Sequence, residues 1–389
     1  MQTLAGIVNN RNFRILLYQA VFLVAVLAAC AYLVATTAQN LENRGMASGF
    51  DFLKLTAGFD ISWSILPYEA TDVYGRLFLV AIGNTLVVSI AGIVATTALG
   101  FAIGIMRTSK NWLSATLASG FVEIVRNTPL LLQVLFWYIG VFTLLPPPRI
   151  AIDVFELGVI HVTNRGIYFP APIPGPLFTW TLLSVVVAIV GSYFFFVAAK
   201  RRQRRTGKKQ IVWPVIIATV VGLPAVIFLL TGSPMSFEIP QLGRFNFSGG
   251  AALPPTFCAL FVALAINHAA FVAENVRAGI QAIPAGQYEA ARALGLTRKQ
   301  RLQLVVVPQA KRLIIPPLIL TWITLIKNSS LAVMIGYPDL VAVFMQTALN
   351  QSGRAIEIVV MVMAFYSIVS LSISAALNYY SKRVALHAS

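Results

Sequence analysis

The sequence predicts an all-α polytopic membrane protein of about eight transmembrane helices with both termini in the cytoplasm. Three observations lead there. Only 11% of the 389 residues are charged and 58% are hydrophobic, with a mean hydropathy of +0.79; a water-soluble domain needs far more polar surface to cover its core. Eight apolar stretches approach or exceed the roughly 20 residues that a bilayer-crossing helix requires. The Lys and Arg residues gather on alternate loops, as expected if cytoplasmic loops carry the positive charge.

The expected spans run from 15 to 36, 77 to 106, 117 to 145, 177 to 199, 211 to 231, 254 to 276, 313 to 336 and 356 to 380. The first is longer than the apolar region of a signal peptide and reads as a retained anchor. With the N-terminus inside, cytoplasmic loops receive 20 Lys and Arg, including seven in KRRQRRTGKK at 200–209 and seven from Arg277 to Arg312. The opposite face receives seven, Arg44, Lys54, Arg76, Arg149, Arg165, Arg244 and Arg354, together with nine of the thirteen acids. The run at 200–209 reads as a topology determinant that touches anionic lipid. Residues 1–76 form an N-terminal helix with an outer segment. Residues 77–383 form a transmembrane core carrying an insert at about 146–253, with two extra helices and a Pro-rich flank.

Composition also excludes several functions. The net charge of +16 comes in bursts between apolar runs rather than on a polar surface, which argues against nucleic acid. Cys30 and Cys258 sit inside apolar runs, and His161, His268 and His387 are scattered, so neither disulfides nor a metal cluster is expected. No G-x-x-x-x-G-K, GxSxG or HExxH occurs, so the chain is expected to be no enzyme and to hydrolyse no ATP through a P-loop of its own.

Polar residues within the spans are the candidate pathway. Glu123 and Arg126, three apart, share a helix face and can pair, either as an interfacial ion pair or as a gate. Lys327 and Asn328 either line a route for a zwitterion or snorkel outward, with Glu357 as a candidate partner for the lysine. Asn84 and Thr85, and Asn267 and His268, are placed to bond across helices, with His268 read as structural. Gly100 and Gly104 have the spacing for close helix packing.

The basic stretch QYEAARALGLTRKQRLQLVVVPQAKR (287–312) predicts a helical hairpin. Pro284 suits a helix start, Gly295 a left-handed stop, and Thr297 with Gln300 a capping box, with a second helix from about Arg298 ended or kinked by Pro308. Glu289-Ala290-Ala291, three residues, Gly295, nine residues, Val305, one residue, Val307-Pro308 resembles the EAA loop of permease subunits in ABC-type importers. The family pattern is EAA, three residues, G, nine residues, I, one residue, LP, so only Val305 and Val307 depart from it. GNTL at 83–86, VEIVRNTPLLLQ at 122–133 and LIKNSSLAVMIGYPDL at 325–340 resemble the polar amino acid branch, and the long insert and first helix resemble permeases of general L-amino acid uptake. The resemblance implies a type I importer permease core in a bacterial inner membrane. It implies three partners besides lipid and no nucleic acid: an ABC ATPase subunit docking on Glu289, Ala290, Ala291, Gly295 and Pro308, a second homologous permease, and an extracytoplasmic amino-acid-binding protein, with ATP and magnesium held by the ATPase and no cofactor here. The alternative is an ion-coupled secondary transporter acting alone, which predicts inverted repeats that the two halves do not display.

Overall fold

The computed structural model describes residues 11–43, 49–207 and 212–385. Arg44, Lys208 and Lys209 of the charge pattern lie outside the described residues. Along the chain, helix α1 (Arg11–Asn43) precedes an extended segment with one short helical turn at Phe50–Lys54, then α2 (Tyr74–Arg107), α3 (Trp112–Asn127) and α4 (Leu130–Leu135). Next come strands β1 to β4 (Ile152–Asp153, His161–Thr163, Gly166–Phe169, Ala171–Pro174), helices α5 (Phe178–Thr206) and α6 (Trp213–Leu230), and strands β5 to β8 (Met235–Glu238, Gln241–Leu242, Phe247–Ser248, Ala251–Leu253). Helices α7 (Pro255–Gln281), α8 (Ala285–Ala293), α9 (Arg298–Arg301), α10 (Val307–Asn328), α11 (Leu349–Ser352) and α12 (Ala355–Ala385) complete it.

Among the described residues seven helices are long and apolar enough to cross a membrane, and α3 with the helix from Leu130 to Leu144 makes an eighth only as a broken pair bent by 103°. The single span expected at 117–145 is therefore corrected. Proline disfavours helical geometry in the residue before it, and Thr128 is indeed extended, with φ −99° and ψ 126°. Buried Gln133 heals the break by donating from Nε2 to the carbonyls of Val125 and Thr128, both at 3.0 Å.

The chain divides into two compact units, one running up to Trp137 and resuming at Ala259, the other Tyr138–Cys258. In the first, α2 and α7 touch along a stripe of small residues. A Cβ added at Gly100 would lie 2.4 Å from the Val272 Cβ, and one at Gly104 2.7 Å from the Val276 Cβ, so the backbones meet as the sequence spacing predicts. Thr96 extends the stripe by donating from Oγ1 to Ala265 O at 3.3 Å, and α7 is the most enclosed of the spans. The same helix meets α10, where a Cβ on Gly279 would sit 2.4 Å from Ile314 Cγ1.

The segment 49–73 packs onto this unit. Phe52 and Ala57 join a buried cluster with Tyr74, Leu77, Leu340, Phe344 and Ile358, and the Gly49 N–H donates to Glu357 Oε1. Asp339, 0% exposed, accepts the Ala342 N–H at 2.8 Å and so caps the helical stretch that follows. Burial pushes its carboxyl up to about 7. By contrast, the described apolar side chains of α1 are exposed along its length.

The second unit holds α5 and α6, packed along each other, and the eight strands, which the all-helical expectation did not include. Its main sheet is antiparallel in the order β1-β2-β3-β8, and β4–β5 and β6–β7 form two ribbons. The strands run only two to four residues, and proline and glycine between them mask any alternation in the sequence.

Gly100→Leu should cost on the order of 1–3 kcal/mol by overpacking, seen as a lower melting temperature in detergent, whereas Gly120→Leu, with nothing within 4 Å of the new Cβ, should not. Asp339 binds its proton more tightly folded than unfolded, so stability falls as pH rises from about 4 to about 7. Asp339→Asn keeps the capping oxygen and should shrink the loss of melting temperature between pH 5 and pH 8.

Candidate functional site: a helical hairpin and a cavity

The hairpin forms by local rules. Pro284 caps α8, and the chain leaves it through Gly295 at φ +70°. The Leu296 N–H bonds Ala291 O at 3.2 Å and the Gly295 N–H bonds Arg292 O at 2.9 Å, the paired pattern of a helix stop with a left-handed residue. Thr297 and Gln300 close the expected capping box, at 3.3 and 2.9 Å. Pro308 does not end the second helix, which is a correction: a wider turn at Leu302–Val306 leads α9 into α10 without a sharp bend. The wide turn adds a residue to the helical register just ahead of Pro308, where proline lacks a donor.

Packing seats the knob. Ala291 is buried, while Tyr288 packs against the cluster that includes Ile283, Val306 and Ala310, and Gln309 donates to Gln287 across the hairpin at 3.2 Å. Glu289, Ala290, Gly295 and Pro308 are exposed, as are Leu294, Leu302 and Leu304. The free face thus mixes apolar and basic groups. Beneath it, Arg107 of α2 pairs with Glu274 of α7, which also holds Arg277 at 2.5 Å, and Arg107 Nε donates to Ser119 on α3 at 3.3 Å. Sequence reasoning missed this node because its members lie more than 160 residues apart.

A cavity of about 650 Å³ opens between α3, α7 and α10 and the bend at Thr128–Pro129. Arg126, Asn267 and Asn328 of the candidate pathway line it, together with His268, Phe271, Asn275, Thr321 and Thr324. His268 Nδ1 lies 2.9 Å from Leu264 O; a carbonyl only accepts, so Nδ1 carries the hydrogen. Its Nε2 is then the acceptor for Asn328 Nδ2 at 3.2 Å, and this bond joins α7 to α10. The cross-helix role read for His268 is thus present, and the ring also faces the cavity. Arg126 stacks over Phe271 with 5.3 Å from guanidinium carbon to ring centre.

The other candidates lie elsewhere. Glu123 is exposed, does not line the cavity and makes no ion pair with Arg126 among the described residues. Lys327 is exposed beside a separate hollow of about 380 Å³ with Met345 and Tyr366, and Glu357 is engaged by Gly49 instead. Asn84, placed both among the pathway candidates and to bond across elements, makes the bonds of a tie. Fully buried, it accepts the Ile65 N–H at 3.0 Å and donates to Trp63 O and Pro338 O at 3.1 and 2.9 Å. Phe271, Asn275, Thr321 and Thr324 were not singled out from sequence; Pro129, which bends α3 away and opens the space, was the available signal.

Comparison with known proteins adds to this geometry. Residues 96–386 match the family model described as binding-protein-dependent transport system inner membrane component. The chain is 45% identical over 377 residues to the putative amino-acid ABC transporter permease protein YhdX of Escherichia coli, covering 97% of this chain and 95% of that one. It is 43% identical over 377 residues to the general L-amino acid transport system permease protein AapQ of Rhizobium johnstonii, covering 96% and 93%. Against the glutamate/glutamine/aspartate/asparagine transport system permease protein BztB of Rhodobacter capsulatus it is 36% identical over 417 residues, covering 98% and 96%.

Asn84→Ala would remove a partner from the buried Pro338 carbonyl, at about 1–3 kcal/mol, and from the partly buried Ile65 N–H and Trp63 O. Chymotrypsin should then cut faster around Phe59 and Trp63, measured by limited proteolysis; unchanged cleavage would argue against the tie.

Proposed function

The chain belongs to the family of binding-protein-dependent transport system inner membrane components, and we propose that it is the permease subunit through which an ATP-driven importer moves L-amino acids into the cell. It is a multi-pass protein of the inner membrane. The observation that carries the proposal is the hairpin at 284–308, a rigid, doubly capped knob with an exposed apolar and basic face, seated directly on α7 and α10. The names of the relatives supply the substrate class: amino acids in all three.

In this reading the hairpin lies on the cytoplasmic side and both termini are cytoplasmic. An ABC ATPase subunit, holding ATP and magnesium, receives Ala290, Leu294 and the basic rim in a groove. A second homologous permease completes the pathway, and an extracytoplasmic binding protein delivers the amino acid. Nucleotide binding displaces the knob. Because α8 packs through Tyr288 and Ala291 on the ends of α7 and α10, that displacement moves the two helices whose polar side chains line the cavity. The pathway then alternates between inward and outward opening, and the chain itself carries out no chemistry. An ion-coupled transporter working alone leaves the exposed, capped hairpin without a purpose.

Purification in mild detergent should bring down an ATPase, and its hydrolysis should rise with a liganded amino-acid-binding protein. A chain that purifies alone and moves solute down an ion gradient would overturn the proposal. Gly295→Val places a branched residue in the left-handed region at about 1–2 kcal/mol, in open space where no clash contributes. Hydrolysis should persist while uptake falls roughly tenfold; unchanged uptake would remove the hairpin from the coupling route.

A further inference from the structure

Among the described residues Arg126 is the only charged one lining the cavity, and no carboxylate lines it. Among the described residues Arg126 makes no hydrogen bond and no ion pair, and Glu123, one turn away, does not turn toward it. The guanidinium carbon lies over the Phe271 ring, 5.3 Å from its centre. Stacking uses the face of a guanidinium and leaves its edge, a fork of N–H donors matched to a carboxylate, free. Arg126 is exposed where it lines the cavity, so its charge is open to an anion that enters from solvent.

The rest of the lining is neutral. His268 has both ring nitrogens engaged, one by Leu264 O and the other by Asn328. With Nε2 accepting, Asn328 must present its amino group to the ring, which leaves Oδ1 as an acceptor for an ammonium group. Asn267, Asn275 and the threonines add donors and acceptors without charge. An anionic ligand therefore meets one strong partner, whereas a cationic side chain meets only neutral oxygens and a like charge.

We infer that Arg126 is the specificity-determining residue of the pathway: its guanidinium takes a substrate carboxylate, so that acidic amino acids pass most readily, neutral polar ones next and cationic ones least. This rests on the permease reading and goes further, since it places part of the selection in this subunit, downstream of any binding protein. Charge-assisted pairs of this type are the strong hydrogen bonds, and the loss of one is worth roughly tenfold in a rate or affinity ratio.

The test uses the complete transporter, ATPase and partner permease included, in proteoliposomes with saturating binding protein, so that loading is not the selecting step. Uptake of labelled glutamate, glutamine and lysine is compared for the wild type, Arg126→Gln and Arg126→Lys. Absence of amino-acid uptake by the wild type would defeat the permease reading itself. With uptake present, Arg126→Gln should lower the glutamate-to-glutamine ratio roughly tenfold and raise lysine relative to both, while Arg126→Lys keeps the wild-type order. An unchanged ratio, or an equal loss for all three substrates, overturns the inference. Should the glutamine variant fail to assemble, Arg126→Lys alone decides: it must keep glutamate ahead of lysine, and equal transport of the two overturns the inference.

Discussion

The close contact of α2 with α7 is the constraint on which the rest of the first unit depends. Two helices can bring their backbones this near only where one presents no side chain, and Gly100 and Gly104 meet Val272 and Val276 at distances that admit no Cβ. In a bilayer, where lipid is as apolar as leucine, such packing and the bonds made across it are what hold helices together. With α7 fixed in depth and rotation, one of its faces turns Asn267, His268 and Phe271 to the cavity, and Glu274 reaches Arg107. The hairpin begins four residues past the end of α7 and inherits that position.

Proline and wide helical turns then give the unit its shape. A continuous α3 through 144 would fill the space that the 103° bend leaves open, and Gln133 makes the bend affordable by satisfying the two carbonyls freed at the break. The wide turn before Pro308 has the opposite effect. It keeps a proline from interrupting the helix, so the second arm of the hairpin and α10 form one lever that runs from the exposed basic face to Asn328.

The polar groups of the spans fall into two kinds. Asn84, Thr85 and Gln133 have their partners and act as ties: Asn84 links the 59–66 segment to Pro338, and Thr85 Oγ1 accepts the Leu340 N–H at 2.9 Å. Asn84 thus holds Trp63 and Ile65 against α2, and Thr85 ties α2 to the chain at Leu340. Arg126 differs in kind: it is exposed, its guanidinium lies over the Phe271 ring, and among the described residues it has no anionic partner.

Much of this was legible in the sequence, for reasons that are local. Span length follows from the apolar runs, the hairpin from Pro284, Gly295 and the Thr297–Gln300 pair, and the α2–α7 contact from a four-residue glycine spacing. Each depends on residues within a turn or two of one another. The interior polar groups were legible as residues but not by partner: Asn84, open to a pathway or a bonding role, bonds to Trp63, Ile65 and Pro338, and Glu357 is engaged by Gly49 rather than by Lys327. Whether a buried amide holds a backbone carbonyl or faces an opening is decided by partners far along the chain, 254 residues away for Asn84 and Pro338 and 60 for His268 and Asn328. The node of Arg107 and Glu274 escaped for the same reason. Sequence alone determined where the apolar spans lie and which loop makes the knob; only the tertiary structure decided where a span breaks and which polar side chain meets another, since partnership in a helical bundle is set by rotation and depth rather than by order along the chain.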